Sequence, residues 1–236
     1  MKILALDSSG MVASVAILED NDLIAEYTMN YKKTHSQTLL PMLDEIVKMS
    51  ETDLSTVDAI AVAMGPGSFT GLRIGSATAK GLALSLDKPV VGIPTLEGLA
   101  MNMYGASALV CPLMDARRNQ VYTGIYRFIN NDMEIVKDQI AVGIEEIIEA
   151  LNIIGEEVVF LGDGVDAYQQ VIEETLEVPF SFAPAHMNKQ RAGSIASRGA
   201  YYYKKGLVTN PDDFEPEYLR LSQAERERMK KEQING

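Results

Sequence analysis

Three short segments of this 236-residue chain carry the residue types of phosphate chemistry. The first, Gly65-Pro66-Gly67-Ser68-Phe69-Thr70-Gly71-Leu72-Arg73-Ile74-Gly75, joins an apolar strand to a nearly chargeless helix through a glycine-rich turn. Free N–H groups at the start of a helix favour an anion there. The spacing argues against a phosphate loop: a Walker loop needs Lys then Ser or Thr directly after its last glycine, whereas Leu72 and Arg73 follow Gly71. The dinucleotide pattern also fails, with Thr70 where its third glycine belongs. A structural tight turn is the better account, in which Pro66 fixes φ, Gly65 and Gly67 permit unusual backbone angles, and Ser68 or Thr70 caps the helix. The second segment, Asp7-Ser8-Ser9-Gly10-Met11, sets an acid and two hydroxyls at the end of the first strand. The third, Gly162-Asp163-Gly164, sits between a strand and a helix. Both read equally well as plain turns, with Asp163 as a helix cap.

Other chemistries find less support. His35 and His186 are the only histidines, and the residue four after His35 is Leu39, so no paired-histidine helical site exists and no metal is expected. Ser68 and Thr70 have no sequence-visible base, and Cys111 lies in the apolar run 108–114, which points to a buried, reduced thiol. No complete catalytic set emerges. The formal charge of −12 works against phosphate backbones as direct partners, so if nucleic acid is involved another component must supply most of the positive field. A first strand that turns polar at Asp7 is too short for a signal peptide, and no segment reaches membrane-spanning length. A cytoplasmic protein is expected.

The elements that must hold these residues follow from periodicity. Strands at residues 2–6, 12–18 and 23–29 form an antiparallel meander, followed by a helix at 39–49, a doubly apolar strand ending at Ala63, the helix from Gly71, a strand at 89–93 and a helix at 95–104. This β-β-β-α-β-α-β-α order is that of an RNase H-like lobe, the building block of the actin, sugar-kinase and heat-shock ATPase superfold. Residues 105–205 read as a second, trimmed copy whose last helix packs back on the first. The segment 206–236, with its charged run at 224–232, reads as a solvated helix or flexible end. The expectation is an α/β chain with a two-lobed actin-like, sugar-kinase-like fold. By analogy with that superfold, Asp7 would face a metal-bound triphosphate, and Gly162 and Gly164 would face adenosine.

Two helices carry more apolar surface than one core needs. Leu39, Leu40, Met42, Leu43, Ile46, Val47 and Met49 cover about half the circumference of theirs, against a stripe of roughly 100° for a single core. Gly71, Gly75, Ala79 and Ala83 recur every fourth residue on the next and make a smooth ridge that another helix can approach closely. Together they suggest a helical association surface.

The chain resembles the TsaB family, also called YeaZ, the bacterial partner subunit in the synthesis of threonylcarbamoyladenosine on tRNA. The resemblance rests on Ile3-Leu4-Ala5-Leu6-Asp7-Ser8-Ser9, Thr34-His35-Ser36 with Leu39-Leu40-Pro41, the run Gly65 to Gly75, Asp115-Ala116-Arg117-Arg118 with Val121-Tyr122, and Tyr218-Leu219-Arg220 with Ala224-Glu225. It implies a non-catalytic scaffold that dimerises through first-lobe helices with the catalytic paralogue TsaD. That paralogue holds a metal through paired histidines and transfers the threonylcarbamoyl group to the adenosine beside the anticodon. The resemblance also implies a TsaE-like ATPase joining the complex, a homodimer when the partners are absent, tRNA contact only through the complex, and ATP or ADP at a composite site rather than on this chain alone. Carried onto the surplus faces, it implies an interface of Leu39, Leu43, Ile46, Val47, Gly71, Leu72, Gly75 and Ala79. The rival expectation is a stand-alone ATP-binding enzyme of the sugar-kinase superfold, with Asp7, Gly162 and Gly164 at its nucleotide.

Overall fold

The computed structural model describes residues 1–31, 35–130 and 132–220. Thr34, Ala224, Glu225 and the charged run at 224–232 lie outside the described residues. In the first half, β1 (Lys2–Asp7), β2 (Ala13–Glu19) and β3 (Asp22–Met29) form the meander, followed by α1 (His35–Met49), β4 (Ala59–Gly65), α2 (Phe69–Leu86), β5 (Val90–Pro94) and α3 (Thr95–Ala100). The second half repeats the order with β6 (Leu109–Asp115), β7 (Gln120–Ile129), β8 (Asp132–Gly143), α4 (Ile144–Ile154), β9 (Val158–Leu161), α5 (Gly164–Thr175), β10 (Phe180–Phe182) and α6 (Ala192–Lys204). The two sheets run β3-β2-β1-β4-β5 and β10-β9-β6-β7-β8, so each half places its strands in the same spatial sequence. This is the two-lobed actin-like fold. The second lobe is trimmed in both strands and helices: β9 has four residues and β10 three, α4 has 11 against 15 in α1, and α5 has 12 against 18 in α2.

Each sheet is covered on both faces, which is why the Ile3-to-Leu6 interior of β1 and the whole of β4 are apolar. Helices α1 and α2 cover one face of the first sheet, burying Leu4, Leu6, Val15, Leu39, Leu43, Ile46, Val62 and Ala79 in one cluster. The opposite face is covered by α6, through Ile195, Ala196 and Ala200 against Ile3, Ala5 and Ala61. A side-chain carbon at Gly199 would stand 2.7 Å from the Ala61 methyl, so only glycine lets this helix approach so closely. Helix α3 correspondingly packs Leu96 and Leu99 on the second sheet, so the third helix of each half bridges to the other lobe.

Polar contacts fix that exchange. Glu26 of β3 accepts from the Gly193 N–H at 2.8 Å and from Arg191 Nε at 3.1 Å, and Ser14 Oγ accepts from the Ala192 N–H at 2.8 Å. Glu97 of α3 pairs with Arg198 of α6 at 2.6 Å, both buried, and the Tyr202 hydroxyl donates to the same carboxylate. Asn102 donates to the Met187 and Lys189 carbonyls and accepts from the Ser194 hydroxyl.

Several expectations need correction. The segment 206–220 is a strap along the first lobe: Thr209 pairs with Val90, Phe214 is 3% exposed inside the core, Lys80 Nζ donates to the Asp212 and Phe214 carbonyls, and the Glu217 N–H donates to the Met64 carbonyl at 2.7 Å. One buried ring and paired backbone hold a segment whose charged composition reads as solvated. Helix α1 starts at His35, four residues before the expected start at 39, so Pro41 lies in its interior. The expected helix at 95–104 is α3 followed by a turn of 3₁₀ helix at Met101–Met103.

Candidate functional site

The Gly65–Gly75 run and the first hairpin are built against each other. Ser68 caps α2, its hydroxyl accepting from the Gly71 N–H at 3.3 Å, while Thr70 lies exposed in the first turn. The Ser68 N–H donates to the Ser9 carbonyl at 2.7 Å, and Ser8 Oγ donates to the Gly71 carbonyl at 2.8 Å. A side-chain carbon at Gly67 would collide with the Ser9 carbonyl oxygen, one at Gly71 with that of Ser8, and one at Gly75 would stand 2.6 Å from Ser8 Oγ. Gly65 joins Pro66 through a cis peptide, carries φ +130°, and faces the Glu217 carbonyl of the strap. The ridge of small residues therefore serves close packing of α2 on its own hairpin and sheet.

That overturns the expected interface residues. Gly71, Leu72, Gly75 and Ala79 are buried against β1 and β4, and Leu39, Leu43 and Ile46 are at most 6% exposed in the same core, with Val47 half-buried beside them. The arc on α1 is wide because the hairpin and α2 both press on it. The outward faces are Leu40, Pro41, Asp44, Glu45, Lys48 and Met49 on α1, and Thr70, Arg73, Ala77, Gly81 and Leu84 on α2. Leu40 is 53% and Leu84 54% exposed, and a side-chain carbon at Gly81 would meet only open space.

Asp7 is buried at the end of β1, where its Oδ1 accepts from the Ser9 N–H at 2.9 Å and the Ser9 hydroxyl at 2.7 Å. Burial pushes its carboxyl up to about 6, against the opposing pull of the two Ser9 bonds and of nearby His35. His35 Nε2 contacts the Gly10 carbonyl at 2.8 Å. A groove of about 650 Å³ separates the lobes, lined by Met11, Val12 and Tyr31 on one side and Asp163, Asp166, Lys189 and Gln190 on the other. Asp7, Gly162 and Gly164 do not line it. Gly162, at φ +108°, and Gly164 lie tight against Leu113 of β6, and the Gly162 N–H donates to Asn188 Oδ1 at 2.7 Å. Asp163 accepts from the Asp115 N–H, with burial raising its carboxyl, and Asp166 pairs with Lys189 at 3.3 Å.

A triphosphate entering this groove meets two carboxylates and a lysine already paired. The three candidate nucleotide residues are thus spent on packing and internal hydrogen bonds. Two buried polar atoms beside the groove, His35 Nδ1 and Gln190 Nε2, have no partner among the described residues. Also among the described residues, no group of three or more His, Cys, Asp or Glu is placed to hold a metal, and no helix is long and apolar enough to cross a membrane.

Known proteins share this architecture. The family model described as "TsaD: tRNA N6-adenosine threonylcarbamoyltransferase" matches residues 22–228. The tRNA threonylcarbamoyladenosine biosynthesis protein TsaB of Bacillus subtilis is 36% identical over 225 residues, covering 95% of this chain and 96% of the relative. The chain belongs to the TsaB/YeaZ family. The TsaB of Escherichia coli is 34% identical over 178 residues, 74% of this chain and 77% of its own. YeaZ from Pseudomonas aeruginosa, a solved structure, superposes with a TM-score of 0.78 at 28% identity, covering 92% of this chain and 99% of that one. Membership of the TsaB family ties the chain to tRNA threonylcarbamoyladenosine biosynthesis.

Sequence reasoning missed what joins the lobes. Glu26, Glu97, Asn102, Arg191 and Arg198 are single polar residues scattered along the sequence, and only the exchange of α3 and α6 brings them together.

Proposed function

We propose that this chain is the non-catalytic partner subunit of a TsaD-like threonylcarbamoyltransferase, bound to it through the outer face of α1 and the Ala77-to-Leu84 stretch of α2, with a TsaE-like ATPase joining the pair. The observation that carries this reading is a contrast within one lobe. The hairpin and glycine run that could serve a phosphate are consumed by contacts with each other, while the adjacent helices leave Leu40, Pro41, Ala77, Gly81 and Leu84 uncovered. Small residues on such a face let a partner helix approach closely, and without the paralogue the same face supports a homodimer. ATP or ADP belongs at a composite site, where a second subunit supplies what this groove lacks and Gln190 offers an unspent donor. The complex works in the cytoplasm and presents tRNA to the paralogue's active site.

The test is reconstitution of tRNA modification from the paralogue and the ATPase, with and without this chain. Modification should require the chain. Equal modification in its absence would remove the scaffold role. The stand-alone ATP enzyme is the reading this geometry disfavours, and calorimetry on the isolated chain should give no heat with ATP.

A further inference from the structure

The arginines among the described residues of this acidic chain divide into two groups. Arg127 pairs with Glu134 and Glu156, Arg191 with Glu26, and Arg198 with Glu97. Arg73, Arg117, Arg118 and Arg220 pair with no carboxylate among the described residues. In a chain of net charge −12, cations left unpaired should be scattered at random or neutralised by the surplus acids. These four instead lie along one continuous strip that crosses from the first lobe to the second.

The strip can be followed contact by contact. Arg73 stacks on the Phe69 ring, 4.3 Å from its centroid, and Phe69 stacks on Tyr218 at 4.8 Å with planes inclined by 33°. Two residues on, Arg220 Nη1 donates to the Ala116 carbonyl at 2.8 Å, which sets it beside Arg117 and Arg118. Those two arginines and Asn119 are three consecutive non-glycine residues in the left-handed region, at φ 65°, 59° and 57°. Such backbone strain collects where it positions groups for a ligand. Here it holds two exposed guanidinium groups at a turn pinned by Asp115 Oδ1, which accepts from the Arg117 N–H at 2.7 Å. The neighbouring carboxylates are engaged with neutral groups, Asp115 in that turn and Glu217 with Gln139 Nε2, while Glu215 points to solvent.

We infer that this strip is a direct RNA contact, in which Arg117, Arg118 and Arg220 meet consecutive phosphates and the Arg73–Phe69–Tyr218 stack receives an unpaired base. Guanidinium forks suit phosphate oxygens, and Tyr218, 38% exposed, offers a ring face for stacking. An acidic protein partner would use the arginines but not the aromatic stack. The inference rests on the reading above that the chain works on tRNA within a complex. It adds that this chain supplies part of the RNA surface and is more than a support for the paralogue. The net charge of −12 keeps the contact weak for the isolated chain and makes it felt in the assembled complex.

The experiment titrates unmodified tRNA transcript against the complex of this chain with its TsaD-like paralogue, across a range of salt concentrations. The variants are Arg117→Ala with Arg118→Ala, and separately Tyr218→Leu. The arginine pair should raise Kd roughly tenfold and flatten the log–log salt slope by about 2. Tyr218→Leu should weaken binding with the slope unchanged, as loss of stacking requires. Complex assembly should be undisturbed in both. Unchanged Kd and slope overturn the inference. Loss of assembly without loss of tRNA affinity also overturns it, because the strip would then face protein. If the wild-type chain fails to assemble with the paralogue, the subunit reading fails by itself. The same titration on the isolated chain at low salt then decides the RNA contact.

Discussion

Replacing Gly71 by alanine and replacing Gly81 by alanine are the same chemical change on one helix, and the structure predicts opposite outcomes. Alanine is favoured over glycine in a helix interior by about 0.8–1 kcal/mol, a gain that Gly81 takes in full and Gly71, in the first turn, takes only in part. At Gly81 the new methyl meets open space, so the full gain of about 1 kcal/mol should appear, raising the thermal midpoint by roughly 2–4 °C for a chain of this size. At Gly71 the methyl falls inside van der Waals contact of the Ser8 carbonyl oxygen, a backbone atom of a hairpin that cannot retreat. Overpacking of that kind costs about 1–3 kcal/mol, and loss of the Ser8 hydroxyl bond to the Gly71 carbonyl costs about 1 more. The net is a loss of about 2 kcal/mol, or a midpoint lowered by roughly 4–8 °C. Thermal melts and urea titrations on the two variants side by side read this directly. Equal or greater stability of Gly71→Ala, or a fall for Gly81→Ala, would mean that the ridge does not face its own hairpin and that the assigned helix faces are reversed.

Other consequences are equally specific. Asp7, pushed by burial from 3.8 to about 6, holds its proton more tightly when folded, so its own contribution to stability is fully present below 3.8 and is lost as pH rises through about 6, by roughly 3 kcal/mol in all. Asp7→Asn keeps the acceptor for Ser9 and removes that titration, so urea midpoints should show a gain at pH 7 that vanishes near pH 4. Arg198→Met leaves Glu97 buried with only the Tyr202 hydroxyl and should cost about 3–5 kcal/mol, while adding Glu97→Leu should recover much of it; chemical denaturation of both variants checks the pair. Cys111 is buried, with burial pushing its thiol up to about 12, so a thiol reagent should titrate nothing in native protein and one group in denaturant.

Much of the fold was legible because its strands and helices keep their periods. The doubly apolar β4 announced a covered sheet, and the element order announced the lobe. The orientation of α2 was not legible. A ridge of glycine and alanine every four residues looks the same whether it meets a partner helix or the helix's own hairpin, and only the position of Ser8 decides it. On α1, Leu39, Met42, Leu43 and Ile46 all fit under the sheet, leaving Leu40 and Met49 outside, so a wide apolar arc overstated the spare surface. β10 escaped because three residues, Phe180–Phe182, are too few to show alternation. The strap at 206–220 escaped because Asn210, Asp212 and Asp213 surround the one residue, Phe214, that anchors it.

The central claim is that the outer face of α1 and α2 binds a TsaD-like paralogue, and Gly81→Arg tests it most directly. The new side chain points into open space, so the folded chain should be unaffected, which circular dichroism and thermal melts confirm before any binding is measured. Mixed with the paralogue and sized by light scattering, wild-type chain should give a complex with the mass of both subunits, and Gly81→Arg should give the two separate species. An undiminished complex with the variant would contradict the account.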